Sequence, residues 1–193
     1  MPTRLERALA AIDAANDADP NRVEHGGATI AREILYARRM TERLTRLAPE
    51  AGEELQLAVR AQHLCRWTIA RSDYPEGRAG YKRWRSELAR VHAGLVGQIL
   101  VEVGYPTAFV DRVQSLVLKQ RLATDPEAGT LEDVACLVFL EHYFAEFAAK
   151  HEPDKLVDIV RKTWRKMSER GHAAALELEL PDELAAIVAR ALA

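Results

Sequence analysis

Apolar residues recur every three or four positions along most of the chain, and no segment sustains the alternation that is typical of a half-buried strand. Glycine and proline cluster between these stretches and separate one helix from the next. The pattern predicts about eight helices, at roughly 3–16, 29–47, 51–67, 79–103, 107–121, 130–150 and 153–167, with a short one after Pro181. The segment with His25, Gly26 and Gly27 is predicted to be a polar loop. Helices joined by short loops indicate an all-α fold.

The sixth predicted helix is apolar almost all round between Leu131 and Leu140, so it should lie at the centre of the fold. Leu137 and Val138 should then be buried. Thr130 opens this run and Asp133 follows it three residues later, which is the spacing of a capping box. The helix is therefore predicted to begin at Thr130.

The composition favours one globular domain. The 193 residues are 48% hydrophobic and 29% charged, which excludes a disordered chain. We expect a single domain over 1–193, with its core at about 29–149 and a helical extension over 150–193. Two cysteines exclude a disulfide framework, and no stretch approaches the roughly 20 apolar residues that span a bilayer. Without a recognisable signal peptide, a cytoplasmic location away from the membrane is expected.

The formal net charge is −2, so the protein has no overall positive charge that would attract nucleic acid. The charged residues are nevertheless unevenly spread along the chain. Residues 60–90 carry eight basic and three acidic residues, and a second basic block over 161–170 surrounds Trp164. These blocks are either solvated helix faces or anion sites, in which arginines grip phosphate oxygens in pairs. Aromatic residues that would stack on a nucleobase are interleaved with the first block, namely Trp67, Tyr74, Tyr81 and Trp84.

Four polar residues lie on apolar helix stripes, where a charge is costly unless it is paired, protonated or bound to a cation. They are Glu33, His63, His92 and Glu141, each on a different predicted helix. Helix bundles build metal sites in this way, and two imidazoles with two carboxylates suit iron, manganese or zinc. A bound metal would supply a hydrolytic nucleophile near neutral pH. The alternative is that each histidine is a satisfied core residue and each glutamate pairs with an arginine, such as Arg39 or Arg66.

Four segments of the chain carry a recognisable pattern. They are 92–106, which ends in a Gly-Tyr-Pro turn, and 109–113, 119–122 and 130–141. These segments resemble the central helices of the HD superfamily of metal-dependent phosphohydrolases. The resemblance implies an HD-like helical fold, with Glu33, His63, His92 and Glu141 at the positions of the metal ligands. Only His92 matches in residue type, since Glu33 replaces the first histidine, Gln62-His63 the His-Asp pair and Glu141 the last aspartate. The metal site is therefore either rebuilt or lost.

The whole chain more closely resembles the family catalogued as domain of unknown function 4202. The segments that carry this resemblance are 35–40, 61–63, 66–68, 71–75, 131–144 and 161–167. Membership implies an HD-like helical fold and no established activity.

Three functional hypotheses follow. In the first, a metal-dependent phosphohydrolase acts on a nucleotide or small phosphate ester, with the Glu/His set holding the metal. In the second, a metal-free HD-like protein binds an anionic ligand. In the third, residues 66–90 and the block around Trp164 bind an RNA or protein partner. For the first two, the residues predicted to hold a phosphate-bearing small molecule are Arg66, Arg71, Lys119 and Arg121.

Overall fold

The computed structural model describes residues 1–192 and is mostly helical. Its helices are α1 (Arg4–Asp17), α2 (Arg32–Leu47), α3 (Glu53–Arg60), α4 (Gly77–Val103), α5 (Thr107–Val117), α6 (Pro126–His142), α7 (Phe144–Ala148), α8 (Pro153–Trp164), α9 (Glu169–Leu176) and α10 (Asp182–Leu192). Two strands, β1 (Arg22–His25) and β2 (Ala28–Ala31), lie between α1 and α2, and 3-10 turns at Arg66–Thr68 and Arg71–Asp73 lie between α3 and α4. The predicted helical class is confirmed. None of the helices in the described residues is long and apolar enough to span a bilayer.

The predicted polar loop around His25 is a β-hairpin, so the expectation of a chain without strands is wrong there. β1 and β2 pair antiparallel, with Val23 opposite Ile30. Gly26 and Gly27 form the two-residue turn with φ of +58° and +78°, the left-handed values that such a hairpin requires. Strands of four residues are too short to show a clear alternation of apolar and polar positions.

The centre of the fold is α6, as predicted. Leu137 and Val138 are both fully buried, and α6 packs against α2, α3, α5 and α9. The predicted start at Thr130 is wrong: α6 begins at Pro126, after the N-cap Asp125, whose carboxylate accepts the Glu127 and Ala128 N–H groups. Thr130 already lies inside the helix.

Asp133 has a different role from the predicted helix cap. It is buried, and its carboxylate accepts hydrogen bonds from the Ser168 backbone N–H at 2.8 Å and from the Ser168 hydroxyl at 2.5 Å. Ser168 is the N-cap of α9, a helix that the sequence pattern did not predict. Asp133 therefore fixes α9 on the central helix.

Several helices end earlier than predicted, including α6, which ends at His142 and is followed by the short α7. The early ends of α3 and α5 matter for the site, because polar residues occupy the turns that follow. After α3 and α5, Cys65, Lys119 and Arg121 adopt left-handed φ values of 53°, 52° and 54°. Such values are uncommon for residues other than glycine, so each turn departs sharply from the helix direction. His63 and Arg66 thus lie on one turn and Lys119 on the other.

Candidate anion-binding site

Glu33 lies in the first turn of α2 and is 6% exposed. The helix has no side-chain cap at Ala31, and the buried Asp19 carboxylate takes that role by accepting the Glu33 N–H at 3.2 Å. The Glu33 carboxylate meets the turn after α3, where its Oε2 lies 3.1 Å from Nδ1 of His63. This contact joins two of the residues that the sequence predicts for a site.

The His63 ring is held in one orientation. Tyr36, one turn after Glu33 on α2, stacks on it with 3.7 Å between ring centroids and 9° between planes. The turn that carries His63 is fixed from α1, because the Cys65 N–H donates to Oδ1 of the buried Asn16 at 2.9 Å. The other ring nitrogen, Nε2, has no hydrogen-bond partner among residues 1–192, and the side chain keeps 20% exposure.

Burial favours the neutral forms of this pair. It raises the pKa of Glu33 to about 7, an effect that Asp19 reinforces and Arg66 opposes. Burial also lowers the pKa of His63 well below its ordinary value, and the charge of Arg66 adds to this. Near neutral pH, His63 is therefore an uncharged imidazole beside a carboxyl group that is close to its titration midpoint.

His92 lies beside His63, with 6.2 Å between the ring centroids, and is 3% exposed on α4. Its Nδ1 lies 2.6 Å from the carbonyl oxygen of Leu64, so Nδ1 donates and Nε2 keeps its lone pair. That Nε2 is buried without a partner. Burial lowers the pKa of His92 to about 4, so the ring stays neutral. An unpaired buried acceptor of this kind suits a ligand that donates an O–H or N–H.

The charges of two arginines act on the histidines, namely the half-buried Arg66 and the exposed Arg85. The Arg66 guanidinium lies over the ring of the buried Trp84, 4.6 Å from its centroid, and the Trp84 indole donates to the Ile69 carbonyl at 3.0 Å. Burial and the nearby charge of Arg85 lower the pKa of Arg66. The charges of Arg66 and Arg85 also lower the pKa of both histidines. We call Glu33, His63, Arg66, Arg85 and His92 the His63 site.

Lys119 borders this site. It forms an ion pair with Glu132, a buried residue of α6, and its charge contributes to the lowered pKa of His63. Lys166 lies 3.6 Å from the other oxygen of Glu132. The carboxylate of Glu132 is therefore shared between two lysines, and the Lys119 ammonium is held near the His63 site.

Glu141 does not join the other three predicted ligands. It forms an ion pair with Arg43 and lies 3.7 Å from Arg46. Arg43 is ten residues along α2 from Glu33, about 15 Å at the helical rise. Among residues 1–192, no group of three or more His, Cys, Asp or Glu side chains is arranged to hold a metal ion. With Arg66, Arg85 and Lys119 nearby, the residues do not fit the predicted metal but suit an anion.

Two other predicted phosphate ligands lie elsewhere. Arg71 donates to the Tyr74 and Pro75 carbonyl oxygens at 2.8 and 3.0 Å, and so closes its own loop. Arg121 is exposed on the turn after α5. Part of the second basic block also has internal partners, since Arg161 donates to the Ala191 carbonyl and Arg170 to that of Leu47. Of the predicted phosphate ligands, Arg66 and Lys119 are the ones whose charges contribute to the lowered pKa of His63.

The sequence analysis missed several members of this region, namely Tyr36, Arg85, Glu132 and Lys166. A signal for Arg85 exists, because it lies seven residues before His92 and thus on the same face of α4. Tyr36 likewise lies three residues after Glu33. The sequence does not indicate that Glu132 belongs to this region, because α6 is apolar on almost every face and no side of it can be distinguished.

The geometry defines a helical protein with a His/Glu pair flanked by arginines. Residues 6–188 match the family described as Domain of unknown function (DUF4202), and the chain belongs to that family. Neither the curated proteins nor the solved structures contain a match to the chain.

Proposed function

We propose that the protein binds a phosphate-bearing small molecule at the His63 site without a metal ion. The observation that carries this proposal is the placement of Arg66 and Arg85. Neither forms an ion pair with a carboxylate among residues 1–192, and the charge of Arg85 contributes to the lowered pKa of Arg66. Arg66 is half-buried and Arg85 is exposed. A partly buried cation without an ion-pair partner is costly, so a bound anion would stabilise Arg66 and relieve its repulsion with Arg85.

The histidines give the ligand its orientation. His92 Nε2 accepts a hydrogen bond, and a phosphate monoanion or a sugar hydroxyl has the donor that it needs. The resemblance to HD phosphohydrolases supports a ligand at this place in the fold. In this proposal, positions that hold metal in that superfamily serve for hydrogen bonding, because arginine charges replace the metal charge.

Calorimetric titration of inorganic phosphate, AMP and ATP tests the proposal. Arg66→Ala should weaken binding about 10- to 100-fold, because charge-assisted hydrogen bonds contribute about 1.5–3 kcal/mol. Arg85→Ala should also weaken it. Arg83→Ala is the matched control, since Arg83 is an exposed arginine two residues away on α4. Equal affinity of Arg66→Ala and the wild type would contradict the proposal.

Metal analysis separates this function from the metal-dependent phosphohydrolase. Protein purified without added metal should contain far less than one equivalent of iron, manganese or zinc per chain. A stoichiometric metal, together with release of phosphate from a nucleotide or phosphate ester, would favour the enzyme instead.

A further inference from the structure

We propose that His63 is a phosphoryl acceptor, whose Nε2 takes a phosphoryl group from a donor with an anionic leaving group, such as an acyl phosphate or a nucleoside triphosphate. This inference rests on the proposed phosphate site and gives that site a reaction. The first argument is the orientation of the ring. Its Nδ1 faces Glu33 at 3.1 Å, Tyr36 covers one face, and Nε2 is left without a protein partner.

The hydrogen bond to Glu33 activates the ring. In molecules in which Glu33 is ionised, the Nδ1 proton is directed at its carboxylate, so Nε2 carries the lone pair and is the nucleophile. The carboxylate also stabilises the positive charge that the ring acquires as Nε2 forms a bond. The lowered pKa of His63 keeps the imidazole unprotonated at neutral pH.

Three cationic side chains act on the ring. The charges of Arg66, Arg85 and Lys119 all contribute to the lowered pKa of His63, and Lys119 is at the same time paired with Glu132. A phosphoryl group in transfer spreads negative charge over its oxygens, and fixed cations in a partly buried site stabilise that charge. The same arrangement that binds phosphate is therefore suited to its transfer.

The other histidines of the described residues lack this combination. His92 is buried at 3% exposure, and its Nδ1 faces a carbonyl oxygen rather than a carboxylate. His151 and His172 also bond to backbone carbonyls, and His25 is exposed on the hairpin. His142 lies 3.5 Å from Glu141, whose carboxylate is paired with Arg43.

The step balances without a further reactant. The Nε2 lone pair forms the N–P bond while the P–O bond to the leaving group breaks. The electron pair of that bond stays on the leaving oxygen, which departs as a carboxylate or a nucleoside diphosphate and needs no proton. The ring keeps its Nδ1 proton, shared with Glu33. Water then takes the phosphoryl group from Nε2 and regenerates the imidazole.

Isotope labelling of the intact protein tests the inference. The wild type is incubated with [32P]acetyl phosphate or [γ-32P]ATP, and should gain a label that is lost in acid and retained in alkali, as expected for phosphohistidine. Trypsin releases residues 61–66, a peptide with His63 as its single histidine. Fragmentation of that peptide should place the added phosphoryl mass on His63. This mapping needs no variant. A label on another residue would overturn the inference.

Variants provide the second measurement. His63→Asn should lose the label, and Glu33→Gln should lower the labelling rate at least tenfold. His25→Asn is the matched control and should be labelled like the wild type. If inorganic phosphate binds but neither donor labels the wild type, the inference fails and the proposed function stands. If phosphate does not bind and no label appears, both fail.

Discussion

At the scale of single residues, the Glu33–His63 pair shows how burial sets protonation. Glu33 and His63 contact each other, and neither has a second charged partner within salt-bridge distance. The pKa of Glu33 is raised and that of His63 is lowered, so both shifts favour the neutral form. The pair therefore weakens the folded state in the pH range where one member is forced to ionise. Such a cost is typical of residues that are retained for binding or reaction rather than for stability.

Glu33→Gln should change the pH dependence of stability. The folded protein holds the Glu33 proton up to about pH 7, whereas the unfolded chain releases it near the ordinary pKa of 4.5. The native state binds more protons in this window, so the free energy of unfolding of the wild type falls as the pH rises through it. The free energy of unfolding of the variant does not fall in this way. Its stability relative to the wild type should therefore rise by up to about 3 kcal/mol between pH 5 and pH 8.

Urea unfolding at both pH values measures this difference. The exposed Glu102→Gln on α4 is the control and should leave the wild-type profile unchanged. A constant stability difference between Glu33→Gln and the wild type at pH 5 and pH 8 would show that Glu33 is already ionised in the folded state at pH 5.

Three of the four residues predicted as metal ligands lie close together in the structure, and Glu141 does not, for a physical reason. Glu33, His63 and His92 lie on helices or turns that have one buried side. Their position relative to the apolar residues therefore indicates that their side chains face the same interior region. Glu141 follows a helix that is buried on nearly every side, where phase does not distinguish one neighbour from another. In the structure, Glu141 forms its ion pair with Arg43 of α2. Side-chain pairing of this kind depends on tertiary distances that spacing does not contain.

At the scale of elements, close contacts between helices determine the packing around α6. Gly171 in α9 lies directly against the buried Asp133: a Cβ at this position would be 2.3 Å from the Asp133 Oδ1 atom. Asp133 cannot withdraw, because Ser168 donates two hydrogen bonds to its carboxylate. The contact between α6 and α9 therefore requires glycine for space.

Gly171→Ala should destabilise the protein by about 3 kcal/mol, since overpacking of a fixed neighbour forces the helix away. Gly94→Ala is the matched substitution. Gly94 is an exposed glycine inside α4 with nothing within 4 Å of an added Cβ, so alanine should stabilise the helix by about 0.5–1 kcal/mol. Chemical unfolding of both variants checks the opposite signs. Equal effects would mean that α9 is not seated against Asp133.

Element types were predictable where the pattern is long, and boundaries were not. The 27 residues of α4 match the predicted helix within two residues, and Gly104 ends it at φ of +92°. By contrast, α3 and α5 stop early, and the turns that follow them contain Cys65, Lys119 and Arg121 in left-handed backbone conformations. None of these residues is a glycine, so the sequence carries no local mark of either turn. The turn after α3 is held by a tertiary contact, in which the Cys65 N–H donates to the Asn16 side chain.

At the scale of the whole molecule, the His63 site joins elements that are far apart in the chain. Glu33 comes from α2, His63 and Arg66 from the turns after α3, and His92 from α4. Lys119 adds the turn after α5. A ligand that bridges these segments binds only when all of them are in place, so binding and global unfolding are linked.

Inorganic phosphate should therefore raise the melting temperature. At a hundredfold excess over Kd, binding adds about 2.7 kcal/mol, which corresponds to roughly 5–10 °C for a chain of this size. The shift should be lost in Arg66→Ala, and a chelator should leave the melting temperature of the wild type unchanged. A chelator that lowers it would indicate a structural metal ion instead.

The stacking of Arg66 on Trp84 has a practical consequence. Indole emission responds to a charge that moves over the ring, and the Arg66 guanidinium is 4.6 Å from the centre of that ring. The chain has two further tryptophans, Trp67 and Trp164, and Trp164 stacks on His172. Replacement of both by phenylalanine would leave Trp84 as a single fluorophore beside the proposed phosphate site. Its emission would then report the arrival of the proposed ligand in real time, without an attached dye.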